Sequence, residues 1–181
     1  MSEELEVLKD VTQLLDKAKI AYVISGSIAA NYYTIPRMTR DLDVVVEMKD
    51  ADVERFTRLF TDDFFVDPEM IATEVKKRGM FNLIHTKSVF KIDFILRKES
   101  AWQDAMFGRR QKVQVDHFSV WIIAFEDLII AKLLWAKDSL SELQLNDVRN
   151  LLKSTHQADQ RYIEKWVRDL GLRGVYQRVQ K

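Results

Sequence analysis

The chain has 181 residues, 47% of them hydrophobic and 31% charged, with only 5 Gly and 2 Pro, a make-up that suits one helix-rich globular unit and excludes a disordered segment. Lys plus Arg and Asp plus Glu each total 28, so no global basic field exists to hold a nucleic acid through released counterions. Cys is absent, which excludes disulfide staples and thiolate metal sites. The opening is acidic and helix-like rather than a signal peptide, and the most apolar segment, residues 120–136, is interrupted by Glu126, Asp127 and Lys132. The expectation is a cytoplasmic protein with no membrane role.

From Glu3 to Lys19, the residues Leu5, Leu8, Val11, Leu15 and Ala18 recur at helical spacing among Glu, Asp and Lys, which predicts an amphipathic helix. Ile20 to Ser25 reads as a short buried strand, and Gly26-Ser27 turns into a small-residue helix over 28–33 that stops before Pro36. Leu42 to Glu47 is a β-branched strand, and Asp50 is a candidate N-cap for a helix burying Val53, Phe56, Leu59 and Phe60. Asp67-Pro68 opens a further helix, with Gly79 as its expected stop.

Strands over 80–85 and 89–96, joined by Thr86-Lys87-Ser88, give a hairpin signal. A short helix near 101–107 and strands over 112–115 and 118–123 around Asp116-His117 follow. From Glu126 onward the pattern is helical, over about 126–137, 141–153 and 159–170, with Gly171 as a stop. The expected fold class is α+β: a mixed sheet flanked by helices (residues 1–124), with a C-terminal helical portion (125–181) packed on it in a single globular unit.

The chemistry concentrates in Gly26-Ser27, followed after one helix-sized gap by Arg37-Met38-Thr39-Arg40-Asp41-Leu42-Asp43 and then by Val44-Val45-Val46. On a strand, residues two apart face the same side, roughly 6 to 7 Å apart, so Asp41 and Asp43 point into one site. Carboxylates so placed repel unless a cation sits between them. Hard oxygen ligands suit Mg²⁺ or Mn²⁺, and a metal pair about 3.5 to 4 Å apart clamps the attacking and leaving oxygens of a phosphoryl transfer. Gly26-Ser27 stands where a strand gives way to a helix, so backbone N–H groups and the positive helix end meet a phosphate there. Arg37 or Arg40 supplies charge-assisted bonds, and alternation along an extended segment does not distinguish the two.

At these residues the sequence resembles the polymerase-beta-like nucleotidyltransferase superfamily, whose hallmark is Gly-Ser, a helix, an Asp-x-Asp strand and a third acidic residue on a later strand. Asp93, within Phe90-Lys91-Ile92-Asp93-Phe94-Ile95, fits the third position. The resemblance runs from about Val23 to Leu152. Phe125-Glu126-Asp127-Leu128-Ile129-Ile130-Ala131-Lys132-Leu133 and Leu145-Asn146-Asp147-Val148 look like its small bacterial branches, the abortive-infection-type toxins and aminoglycoside nucleotidyltransferases. In the toxin branch the turn often carries two glycines, where this chain has Ser25 before Gly26.

The resemblance implies a nucleotidyltransferase-type sheet and an ATP- or other NTP-using transferase that depends on Mg²⁺ or Mn²⁺ and releases pyrophosphate. It makes Asp41, Asp43 and Asp93 the catalytic metal ligands, Gly26 and Ser27 the phosphate cradle, and Lys132 a nucleotide-phosphate contact. The acceptor hydroxyl belongs to a small molecule, an RNA end or a protein. A toxin-like member carries an antitoxin partner, and a non-catalytic nucleotide-binding module is the rival reading.

Bland roles compete for several residues. Lys132 interrupts Leu128, Ile129, Ile130, Leu133 and Leu134, which also suits the polar side of an amphipathic helix. Asp147 reads as an exposed helix residue near Arg149 and Lys153. His85, His117 and His156 are scattered and make no zinc pattern. The four Trp read as core packing, and Arg109-Arg110-Gln111-Lys112 as a surface basic run.

Overall fold

A computed structural model of the chain describes residues 2–39, 41–139 and 141–180, apart from the side chain of residue 138. Helix α1 (Glu3–Lys17) starts at Ser2, whose hydroxyl accepts from the Leu5 N–H, and carries Glu3, Glu4 and Glu6 at its positive end. It buries Val7, Leu8, Val11 and Leu15. Strand β1 (Ala21–Ile24), helix α2 (Gly26–Tyr33) and strand β2 (Asp41–Glu47) follow, and then α3 (Val53–Phe60), β3 (Phe64–Phe65), α4 (Pro68–Lys77), β4 (Met80–His85) and β5 (Lys91–Leu96). The remainder is α5 (Ala101–Gly108), β6 (Gln111–Val115), β7 (Phe118–Ile122), α6 (Phe125–Ser139), α7 (Glu142–Lys153), α8 (Gln160–Asp169) and α9 (Arg173–Val179).

The strands form one mixed sheet in the order β3-β4-β5-β2-β1-β7-β6, which is the expected α+β arrangement. β1 runs antiparallel to β2, whereas β2 pairs with β5, and β1 with β7, in parallel. Alternation sorts the two central strands. Leu42, Val44 and Val46 of β2 and Ile92, Phe94 and Leu96 of β5 are buried on one face. On that side Phe94 stacks on Phe81 at 5.2 Å between ring centres, and Phe56 stacks on Phe60 at 4.1 Å. The opposite face of the same strands carries Asp41, Asp43 and Asp93, so the packing of one face fixes where the acids point.

Local structure departs from expectation at three places. Asp50 caps no helix; Asp50–Asp52 form a 3-10 turn, because Asp52 Oδ2 accepts from Lys49 N at 2.9 Å and tightens the entry to α3. The left-handed residue that ends α4 is Arg78 rather than Gly79; its guanidinium is tied to Glu47 Oε1 and to the Met48 carbonyl, both at 3.1 Å. β3 and α9 were not expected, and a two-residue strand such as β3 is too short to show alternation. Asp67 does cap α4, accepting from the N–H groups of Glu69 and Met70.

Helix α6 is apolar on nearly all sides, burying Leu128, Ile129, Ile130 and Leu133, and packs against α2, α7 and α8. At its first turn the fully buried Asp127 accepts from Arg109 Nε at 2.9 Å and from the Tyr162 hydroxyl at 2.7 Å, while the Arg109 guanidinium lies 4.0 Å over the Tyr162 ring. Arg110 stacks on Phe107 and Trp121, so the basic run over 109–112 is largely spent on internal contacts. Among the described residues no helix is long and apolar enough to cross a membrane.

Candidate active site

Asp41 and Asp43 project from the same side of β2, and Asp93 stands on β5 in direct register with Asp43. Neighbouring strands lie about 4.8 Å apart, so the three carboxylates share one patch of sheet. Together with Gly26, Ser27, Arg37 and Lys132 they line a cleft of about 440 Å³. Seven of the expected site residues are therefore brought together; the eighth, Arg40, lies outside the described residues.

Gly26 is required twice over. Its φ of 62° is in the left-handed region, and a Cβ there would run into the Asp43 carboxylate. The tight turn lets α2 begin directly beside β2, where Ser25 N donates to Asp43 O at 2.9 Å. No side chain caps α2, so its first N–H groups point at the cleft without a protein partner from a cap.

The acids are poorly compensated. Burial, then the neighbouring charges of Asp41 and Asp93, push the Asp43 carboxyl up to about 6, against the pull of Lys132 and Lys91. Asp93 is 7% exposed; its Oδ2 pairs with Lys91 Nζ at 2.8 Å, while its buried Oδ1 has no hydrogen-bond partner. The Asp41 carboxylate is turned back onto the Thr39 hydroxyl. As these side chains stand, no three acidic or imidazole groups among the described residues close on one point at metal-ligand distance. The donor chemistry nonetheless fits a hard divalent cation, since an orphaned buried carboxylate oxygen and a repelling pair are what such an ion relieves.

Behind the cleft's Arg37 and Lys132 the charges are matched. Asp147, 6% exposed, accepts from Lys132 Nζ at 2.7 Å and from Arg37 Nε and Nη2 at 3.2 and 3.1 Å. Burial alone raises its carboxyl, but the bonds from Arg37 and Lys132 outweigh that and hold it below the usual carboxylate range. Arg37 Nη2 also donates to Ser27 Oγ at 2.7 Å, and Lys132 Nζ to Gln144 Oε1 at 3.1 Å. Asn31 on α2 grips both backbone groups of Arg37, at 2.8 and 3.0 Å, and so sets where the guanidinium hangs.

Asp147 was expected at the surface and is instead buried. It shares a helix face with Leu151, four residues on, and that face turns inward. Lys132 occupies no polar outer side of α6; it is 2% exposed and reaches into the cleft. Trp102 and Trp166 are core residues as expected, whereas Trp135 is 55% exposed on the cleft wall. His85 and His156 take packing roles, against Phe64 and against Tyr33 and Phe125.

Solved structures share this architecture. The antibiotic-resistance factor ANT(2″)-Ia superposes over 97% of this chain and 95% of its own, with a TM-score of 0.63 at 10% identity. The lincosamide antibiotic adenylyltransferase LnuA, bound to lincomycin, matches 84% of this chain and 97% of its own, with a TM-score of 0.54 at 14% identity. An antigenic nucleotidyltransferase-like protein from Paracoccidioides brasiliensis matches 83% and 75%, with a TM-score of 0.54 at 19% identity. No family model matches the sequence, and no curated protein matches it significantly. These likenesses show the fold: the chain has a nucleotidyltransferase-like α+β fold.

Proposed function

We propose that the chain is a nucleotidyltransferase that moves a nucleoside monophosphate from an NTP to the hydroxyl of an acceptor, releasing pyrophosphate. The observation that carries this reading is the register of Asp43 with Asp93 on the sheet face that the uncapped start of α2 adjoins. ATP is the first donor to test, because similar structures include a named adenylyltransferase and ANT(2″)-Ia with adenylyl-2″-tobramycin.

In this reading Asp41, Asp43 and Asp93 hold Mg²⁺ or Mn²⁺, which when bound neutralises the charge of the triphosphate and of the carboxylates themselves. The N–H groups at the start of α2 and the Ser27 hydroxyl bind phosphate oxygens, with Arg37 behind Ser27 orienting that hydroxyl. Lys132 adds positive charge to the same wall. The acceptor oxygen attacks the α-phosphorus and forms a new P–O bond, while the bond from that phosphorus to the α,β-bridging oxygen breaks and pyrophosphate leaves with the electron pair. Asp93, on the strand beside Asp43, completes the metal site and helps to take the acceptor's proton. No covalent enzyme intermediate is needed.

The test is incubation of the protein with Mg²⁺ and each NTP labelled at the α-phosphate, with cell extract as the acceptor source. The expected result is pyrophosphate release together with label on an extract component, both absent from Asp93→Asn. Nucleotide binding with no pyrophosphate from any of the NTPs would overturn the reading and leave a nucleotide-binding module.

A further inference from the structure

Strand register lays the cleft floor out in rows. Across β4, β5 and β2, Asn82, Asp93 and Asp43 stand side by side, and Ser25 continues that polar row beyond β2, its N–H bonded to the Asp43 carbonyl. On the same face, two residues further along β5 and β2, comes an apolar row of Met80, Ile95 and Val45. The step between rows is roughly 6 to 7 Å. In the opposite direction the next row carries Asp41 and Lys91, both charged.

Stereochemistry distributes a nucleotide over these rows. In-line displacement at the α-phosphorus sets the entering oxygen and the leaving pyrophosphate at opposite ends of one line. In the transferase reading the phosphates lie at the start of α2, which abuts Asp43, and Asp93 stands on the far side of Asp43, so the line runs along the polar row, across the strands. The nucleoside hangs from a further oxygen of that phosphorus and leaves the line roughly at right angles, along the strands or away from the sheet. Toward the apolar row the cleft opens into a further space of about 580 Å³, and Ile95, Ala131 and Trp135 line both. Trp135, 55% exposed, comes three residues after Lys132 on α6, about 4.5 Å further along the helix axis.

Resting on the transferase reading, we propose that Trp135 is the stacking platform for the nucleobase of the NTP, facing the apolar row of Met80, Ile95 and Val45, and that the donor is a purine nucleotide. Lys132 meets the phosphates, and Trp135, nearly one turn further along α6, meets the base. The exposed indole is covered when a base lies against it, and the two fused rings of a purine cover more of it than the single ring of a pyrimidine. The row of Asp41 and Lys91 is the poorer seat, because a base placed there would strip water from charged groups. The acceptor is left the Asn82 end of the polar row, on the line of attack and away from Trp135.

The probes are ATP, GTP, CTP, UTP and inorganic tripolyphosphate, each titrated by calorimetry with Mg²⁺ into the full-length parent, Trp135→Ala and Trp135→Phe proteins. Tripolyphosphate carries the phosphates without a base, so it reads the phosphate and metal contacts alone. The parent should bind ATP and GTP several-fold more tightly than CTP and UTP, and Trp135→Ala should weaken the purine nucleotides by about tenfold, as expected for losing one base–aromatic stack. Trp135→Phe, which keeps an aromatic face, should recover most of that affinity, and all three proteins should bind tripolyphosphate equally. Equal ATP affinity in parent and Trp135→Ala overturns the base site, as does a loss of tripolyphosphate affinity as large as that of ATP, or a parent that binds pyrimidine nucleotides as tightly as purine ones. With tripolyphosphate still bound by the parent, those results leave the transferase reading standing. A parent that binds neither tripolyphosphate nor any of the four nucleotides overturns the transferase reading and the base site with it.

Discussion

Two sets of charges meet at one cleft, and they are built on opposite principles. On the wall, Asp147 is surrounded by Lys132 and Arg37, and its carboxyl is held below the usual range. On the floor, Asp41, Asp43 and Asp93 crowd together, Asp43 is pushed up to about 6, and an oxygen of Asp93 has no partner. A buried acid with matched bonds supports the fold and positions its neighbours. Buried acids that repel one another cost stability, and such a cost persists where a ligand relieves it.

The largest effect should come from breaking the matched side. Asp147→Asn leaves the buried Lys132 ammonium without its charged partner and releases Arg37 from its paired charge-assisted hydrogen bonds, so the chain should lose roughly 3–5 kcal/mol of stability. Urea unfolding measures this, and an unchanged midpoint would mean that the wall network contributes no net support. Gly26→Ala ranks next. The left-handed backbone costs an alanine about 1–2 kcal/mol, and the added Cβ must displace the Asp43 carboxylate. Moderate destabilisation in thermal melts with loss of nucleotide-dependent stabilisation is the expected pair of outcomes.

How far the sequence reveals this contrast follows from the range of the interactions involved. Asp41, Asp43 and Asp93 are legible because strand alternation is local: knowing that Leu42, Val44 and Ile92 go inward places their neighbours outward. Gly26 is legible for a similar reason, since a strand must turn into a helix within one residue. Asp147 is not legible, because its partner Arg37 lies 110 residues away and nothing in the periodicity of α7 names that partner. Trp135 and Lys132 sit on a helix that is apolar on nearly every side, so the period of α6 does not say which face meets the cleft. Asn31, which anchors Arg37 through its backbone, leaves no sequence signal beyond its place in the last turn of a short helix.

The smallest shift carries the most information, because it has an unusual sign. Asp43 is raised in the folded chain from an ordinary value of 3.8 to about 6, so its ionised form costs stability above that pH, and the cost fades as pH falls through 6 toward 4. Asp43→Asn removes that cost and should flatten this part of the pH profile of the metal-free protein. Among the described residues its side chain makes no hydrogen bond that the change would lose.

The decisive measurement is thermal unfolding of the parent and Asp43→Asn proteins at pH 7.5, with and without Mg²⁺ plus ATP. The metal-free variant should melt no lower than the parent, and higher by about 2–4 °C for each kcal/mol of relieved repulsion, while the stabilisation that Mg²⁺ and ATP give the parent disappears. A variant that melts lower than the parent without ligand, yet keeps the full ligand-induced gain, would contradict a floor of carboxylates arranged for a metal-bound nucleotide.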